Sequence, residues 1–197
     1  MKNKNIQFAE FFPNCKYRYL DLSGKNKAPV SSEVLRDDLN KNGYDSFFTV
    51  NGFDGTDAKK ENCINLNAFF CDIDKKLTPQ EIDKIKDKLE PTFIIETFHG
   101  FHFYWCLDEI IYKDECFGDS WETAMGRWEK IQQSIVNTIP DCDKAVKDIP
   151  RILRTVGSIY WKKTEGDFKI KGVHKNPACV YSMDQVEEVF PTVAVAI

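Results

Sequence analysis

The order of hydrophobic periodicities predicts an α+β fold. A βαββαβ module over residues 63–197 packs against a smaller N-terminal α/β module over residues 1–62, the two making one domain. Three observations predict it. The apolar run "NAFFCDID" (67–74) leads into a helix start with full signals at Thr78. Two further strand-like runs, "PTFIIET" (91–97) and "FHFYWCL" (101–107), flank an "HG" turn. A long amphipathic stretch (120–139) then precedes the short segment "DCDKAV" (141–146). This is the order of ferredoxin-like and RRM-like sheets.

Each element has a local reason. "SSEVLRDDLNKNG" (31–43) predicts a short helix and "DSFFTV" (45–50) a strand, and the turn-rich "NGFDGTDAKKEN" (51–62) closes the N-terminal part. In "TPQEIDKIKDKLE" (78–90), Thr78 is the N-cap, Pro79 takes the first helical position and Glu81 completes a capping box. In the long helix Trp121, Met125, Trp128, Ile131 or Gln132, and Ile135 form one stripe. "DCDKAV" is expected as the strand that closes the sheet.

Composition narrows the function classes. Among the 197 residues 42% are hydrophobic and 13% aromatic, which excludes a disordered chain. No apolar run approaches the ~20 residues of a membrane helix, and the basic N-terminus lacks the apolar core of a signal peptide. Seven cysteines, odd in number and without a C-x-x-C pair, read as reduced thiols of a cytoplasmic protein. The net charge of −4 hides a gradient: residues 144–175 carry nine Lys or Arg against Asp148, Glu165 and Asp167. A basic region beside an acidic one suits a protein that holds polyanions and metal ions. The apolar ending "FPTVAVAI" leads to the expectation that the sequence is one domain of a longer protein.

Three motifs carry chemistry. In the first strand Phe69, Cys71 and Ile73 face one way and Asp72 and Asp74 the other. Two carboxylates on one face repel unless a cation lies between them, and Mg²⁺ or Mn²⁺ takes such oxygens while leaving room for phosphate. Taken alone, D-x-D reads equally as solvated acids at a strand end. In the third strand His102 and Tyr104 share one face, and Phe101, Phe103 and Trp105 the other. In this strand order the first and third strands are central neighbours, which sets His102 opposite the acidic pair. His102 also reads as a satisfied core histidine, the aromatics as a stacking platform for single-stranded RNA, and His99 with His102 as a metal pair. In "DCDKAVKDIPRILRTVGSIYWKK" (141–163), Asp141 and Asp143 share a face if extended, and Arg151, Arg154, Lys162 and Lys163 suit phosphate oxygens.

Together these motifs resemble those of the archaeo-eukaryotic primase superfamily. Its pattern runs hydrophobic-D-hydrophobic-D, then small-x-H, then hydrophobic-D with a basic R-x-x-R-x-x-G-S/T. Here these are "FFCDID", "TFHGFHFYW" and "DKAVKDIPRILRTVGSIYWK", spanning Phe47 to Lys163. The nearest varieties are the primase-polymerases of plasmids, phages and CRISPR-associated systems, the last favoured. The resemblance implies the archaeo-eukaryotic primase fold and a template-dependent DNA primase/polymerase. Such an enzyme transfers nucleotides from (d)NTPs to a 3′-hydroxyl and releases pyrophosphate, with two Mg²⁺ or Mn²⁺ ions as cofactors. Asp72, Asp74 and Asp143 would be catalytic and ligate metal, with Asp141 and Asp148 competing for the third place. His102 would contact the incoming triphosphate, and Arg151, Arg154, Ser158 and Lys162 would bind triphosphate or template backbone. The implied partners are a DNA template and primer, (d)NTPs, and further domains or CRISPR or replication proteins, with no membrane. Two departures bear on substrate fit: the glycine-rich lead-in to the histidine is only "HG", and the usual proline of R-L-P-G is Val156. A non-catalytic single-strand-binding module and a rolling-circle nuclease with a tyrosine nucleophile remain the alternatives.

Overall fold

The first third of the chain builds a small sheet. In the computed structural model, which describes residues 6–25, 27–162, 164 and 166–192, α1 (Ile6–Ala9) leads into β1 (Tyr17–Leu20) and β2 (Val30–Ser32). The expected helix and strand follow as α2 (Asp37–Lys41) and β3 (Asp45–Thr49), and the turn region holds a two-residue strand, β4 (Gly52–Phe53). The acidic motif ends an eleven-residue strand, β5 (Cys63–Ile73). Next comes α3 (Pro79–Lys86), which starts as predicted: the Thr78 hydroxyl accepts from the Glu81 amide and the Glu81 carboxylate accepts from the Thr78 amide. The predicted hairpin is β6 (Phe93–Glu96) with β7 (Phe101–Tyr112), and the long helix is α4 (Ser120–Thr138). Short strands β8 (Ile152–Arg154), β9 (Ile159–Tyr160), β10 (Phe168–Lys169) and β11 (Lys171–Lys175) precede α5 (Met183–Val189). Lys163 and the stretch 193–197 lie outside the described residues.

The strands pair antiparallel in a five-stranded sheet, β11-β6-β7-β5-β4, and a four-stranded one, β2-β1-β3-β8. The second sheet thus takes its last strand from the C-terminal half. As expected, β5 and β7 are central neighbours, and their register sets Asp72 opposite His102. Both faces of the large sheet are covered. On one, Phe69 stacks on Trp128 of α4 at 5.5 Å between centroids, and the Trp105 indole donates to the Leu89 carbonyl. On the other, Tyr104 packs against Phe8, Phe12 and Phe48 of the N-terminal part. Phe103 and Trp105 are wholly buried and Phe101 nearly so, so the β7 aromatics serve the core and are not a stacking platform for RNA. Among the described residues no helix is long and apolar enough to cross a membrane.

The expected closing strand at 141–146 is absent; that segment is a turn, with Asp141 at φ 59°. The reason lies at the open edge of β5. Beyond its brief pairing with β4, the outward-pointing backbone groups of β5 are met by other means. The Trp128 indole donates to the Ala68 carbonyl, and the Gln132 side chain both donates to the Phe70 carbonyl and accepts from the Phe70 amide. The Asp143 amide donates to the Asp72 carbonyl at 2.8 Å. With α4 side chains bonded along this edge, the 141–146 segment meets it through the Asp143–Asp72 bond. The sheet grows instead at its other side, where β11 pairs with β6.

Gln132 is fully buried at the centre of this edge. Gln132→Leu keeps the volume but orphans a buried N–H and C=O, a loss of about 2–4 kcal/mol. Thermal denaturation is expected to show Tm lowered by about 5–15 °C. Gln133→Leu, on the neighbouring half-buried position, should cost less than about 1 kcal/mol.

Candidate active site

Asp72 stands at the end of β5, half-shielded, while Asp74 one step beyond the strand is exposed. Asp143 joins them because its amide is tied to the Asp72 carbonyl; its own carboxylate accepts from the Ala145 amide and remains exposed. Burial pushes the Asp72 carboxyl up, and the negative charges of Asp74 and Asp143 push it further, against the pull of Arg151 and Arg154, to about 7. Asp72 Oδ1 is buried without a hydrogen-bond partner.

His102 faces this oxygen. Its Nε2 lies 3.4 Å from Asp72 Oδ1, in a direction that makes no hydrogen bond. Its Nδ1 is 3.2 Å from the Tyr104 hydroxyl. Burial, aided by the positive charge of Arg154, lowers the imidazole to about 3, so His102 is neutral and the contact with Asp72 is not an ion pair. With 4% of its surface exposed, His102 stands behind Asp72 rather than in the open. His99, by contrast, is exposed and meets the Tyr160 hydroxyl at 3.3 Å, and Tyr160 is buried. The two histidines therefore have different partners and form no metal pair.

The other carboxylates and the basic residues are largely engaged. Asp141 is paired with Lys75 at 2.8 Å, and Lys75 also binds Glu81 at 2.9 Å, so one lysine ties the 141–143 turn to the start of α3. Asp148 holds Arg151, whose guanidinium also donates to the Ala145 carbonyl. Asp143, which has no such cationic partner among the described residues, is one of the two carboxylates whose negative charge raises Asp72. Arg154 donates to the fully buried Asp45 at 2.8 Å and lies over the rings of Phe47 and Tyr160. The Ser158 hydroxyl donates to the Thr155 carbonyl within its own turn, and Lys162 is exposed. The turn before β7 is pressed onto the acidic strand: a Cβ on Gly100 would lie 1.7 Å from the Ile73 carbonyl oxygen. That contact explains the small residue before the histidine.

The donor set fits a hard divalent cation, because a buried carboxylate oxygen lacking a hydrogen bond beside two further carboxylates is relieved by positive charge. Among the described residues, as the side chains stand, no three His, Cys, Asp or Glu groups already converge to hold an ion.

No family-level sequence profile matches the chain. It is 26% identical to a replication protein of Clostridium perfringens over 64% of its own residues, and spans 31% of that relative's length. Among solved structures it superposes on the primase-polymerase domain of cyanophage S-2L with a TM-score of 0.75, at 14% identity, covering 97% of this chain and 98% of that one. It also superposes on the primase RepB′, with a TM-score of 0.60 at 13% identity, covering 91% of this chain and 58% of that one. For the RepB′ catalytic domain solved with initiator DNA the score is 0.61 at 12% identity, covering 95% and 94%. The chain has the fold of primase-polymerase domains, as its motifs implied. These relatives are phage and replication proteins, and a CRISPR association has no counterpart among them.

The Asp72 carboxyl binds a proton in the folded protein between its ordinary value of 3.8 and about 7, where the unfolded chain has released it. Its contribution to stability therefore falls as pH rises through that window. In metal-free buffer near pH 8, Asp72→Asn is expected to exceed the wild type in stability by about 1–3 kcal/mol, with the difference closing near pH 4. Scanning fluorimetry across pH measures this, and a variant less stable than wild type at pH 8 contradicts it.

Proposed function

We propose that the chain is the catalytic domain of a template-dependent DNA primase-polymerase, a nucleotidyltransferase that joins the α-phosphate of a (d)NTP to a 3′-hydroxyl and releases pyrophosphate. The observation that carries this reading is the buried, hydrogen-bond-free oxygen of Asp72 beside Asp74 and Asp143 in a fold of the primase-polymerase type. Asp72, Asp74 and Asp143 would hold Mg²⁺ or Mn²⁺, in the number of two ions. When bound, such ions lower the barrier to deprotonating the attacking hydroxyl and neutralise charge on the phosphates.

The remaining work falls to the chain's own residues. Neutral His102 packs behind Asp72, its Nε2 3.4 Å from the carboxylate without a hydrogen bond and the Tyr104 hydroxyl on its Nδ1. Because His102 lies behind Asp72, any contact with a triphosphate oxygen would be made at the inner wall of the site. Arg151 and Arg154 keep positive charge beside the carboxylates, which favours a polyphosphate there. Lys162 is free to reach a template or primer phosphate, while Ser158 shapes the turn that carries the basic strand. Positioning and charge neutralisation account for catalysis of this kind. In this reading an RRM-like module from about residue 63 packs on the N-terminal module. The setting would be cytoplasmic plasmid or phage replication, with a DNA template and primer as partners, as the initiator-DNA complex of RepB′ suggests.

A second reading, a non-catalytic module that binds single-stranded nucleic acid, rests on the basic stretch 144–175 with its nine Lys or Arg. Primer extension on a DNA template with dNTPs and Mg²⁺ or Mn²⁺ separates the two. Metal-dependent extension that falls at least about a hundred-fold in Asp72→Ala/Asp74→Ala is the expected result. No extension by the wild type with either metal, while a labelled single strand still binds, overturns the polymerase reading in favour of the module.

A further inference from the structure

The β7 aromatics are buried, yet a second group of rings stays open at the end of the same sheet. Phe98, in the turn between β6 and β7, stacks on Tyr160 at 5.1 Å between centroids and meets Phe168 of β10 edge-on at 5.5 Å. Phe98 and Phe168 are half-buried and His99 beside them is exposed. Two lysines stand over the rings: Lys76 Nζ is 5.5 Å from the centre of Phe168, and Lys171 Nζ 5.7 Å from it. Lys76 is also held by Glu96 and the Thr97 carbonyl, which fixes it in place; its side chain is 50% exposed.

The placement of this patch ties it to the candidate site. Gly100 presses the turn bearing Phe98 onto the Ile73 carbonyl, between Asp72 and Asp74, and Lys76 follows Asp74 by two residues. Tyr160, under Phe98, lies against Arg154. An unstacked base offers a flat π-face to such rings, and the phosphate beside it offers a charge to the lysines. A duplex keeps its bases stacked inward, and an acidic peptide would engage the lysines but not the rings.

We propose that Lys76, Phe98, His99, Phe168 and Lys171 form a docking rim for single-stranded nucleic acid, which delivers the strand to the carboxylate site. As a route for a template strand this rests on the polymerase reading above; as a binding surface it stands apart from catalysis. Phe168→Leu keeps apolar bulk and removes the ring face, and Lys171→Glu reverses an exposed charge. Anisotropy of a fluorescein-labelled oligothymidylate, in metal-free buffer at two salt concentrations, reads both.

Phe168→Leu is expected to weaken binding on the order of ten-fold. Lys171→Glu should weaken it similarly and flatten the salt dependence. Both should lower Tm by no more than a few degrees and leave dNTP affinity unchanged. The rim is overturned if both variants bind within about two-fold of wild type, if the wild type prefers duplex, or if the variants lose dNTP affinity instead. A wild type that binds through the rim but does not extend primers leaves the rim standing and removes the polymerase. One that extends while both variants bind normally removes the rim alone.

Discussion

The free edge of β5 is the constraint on which the rest of the site depends. A strand at the centre of a buried sheet must satisfy its backbone groups on both sides, and here the second side past Asn65 has no strand to meet it. Trp128 and Gln132 of α4 supply the missing partners at Ala68 and Phe70, and the Asp143 amide supplies the last at Asp72. The same set of bonds docks the long helix, ends the sheet and delivers a third carboxylate to the first. A fold requirement and a chemical one are thus met by one row of hydrogen bonds.

The electrostatics of the site run against stability. Asp72 is shielded from water, faces a neutral imidazole and sits by two carboxylates, an arrangement that a metal-free fold would avoid if packing alone governed it. The nearby cations offset this charge only in part, and each is also paired elsewhere: Arg151 with Asp148, Arg154 with Asp45. Arg154 also ties the last two strands of the four-stranded sheet, since β8 carries it to Asp45 of β3 while its charge reaches Asp72 and His102. Loss of that arginine would loosen the N-terminal sheet and alter the site together.

Aromatic residues divide by the same logic. Those on β7 alternate between the helix side and the N-terminal side and are buried on both, with Trp105 against Phe190 and Tyr104 against Phe8 and Phe12. Where the sheet ends, at the β6–β7 turn and on β10, Phe98 and Phe168 are half-buried, and Lys76 and Lys171 lie near the Phe168 ring.

The local signals were fully legible in the sequence. Alternation set Asp72 apart from Cys71 and Ile73, the capping box fixed the start of α3, and the run of apolar and turn residues set the β6–β7 hairpin. The neighbourhood of β5 and β7 then followed, and with it the pairing of Asp72 and His102. What sequence could not decide were the side-chain contacts between elements that no strand pairing implies. The Gln132 bonds to Phe70 span 62 residues, the Lys75–Asp141 pair 66 and the Asp45–Arg154 pair 109. Periodicity reports which face a residue takes, not which partner waits there. The 141–146 segment, strand-like by its own residues, became a turn because side chains of α4 had already taken the edge it would have paired with.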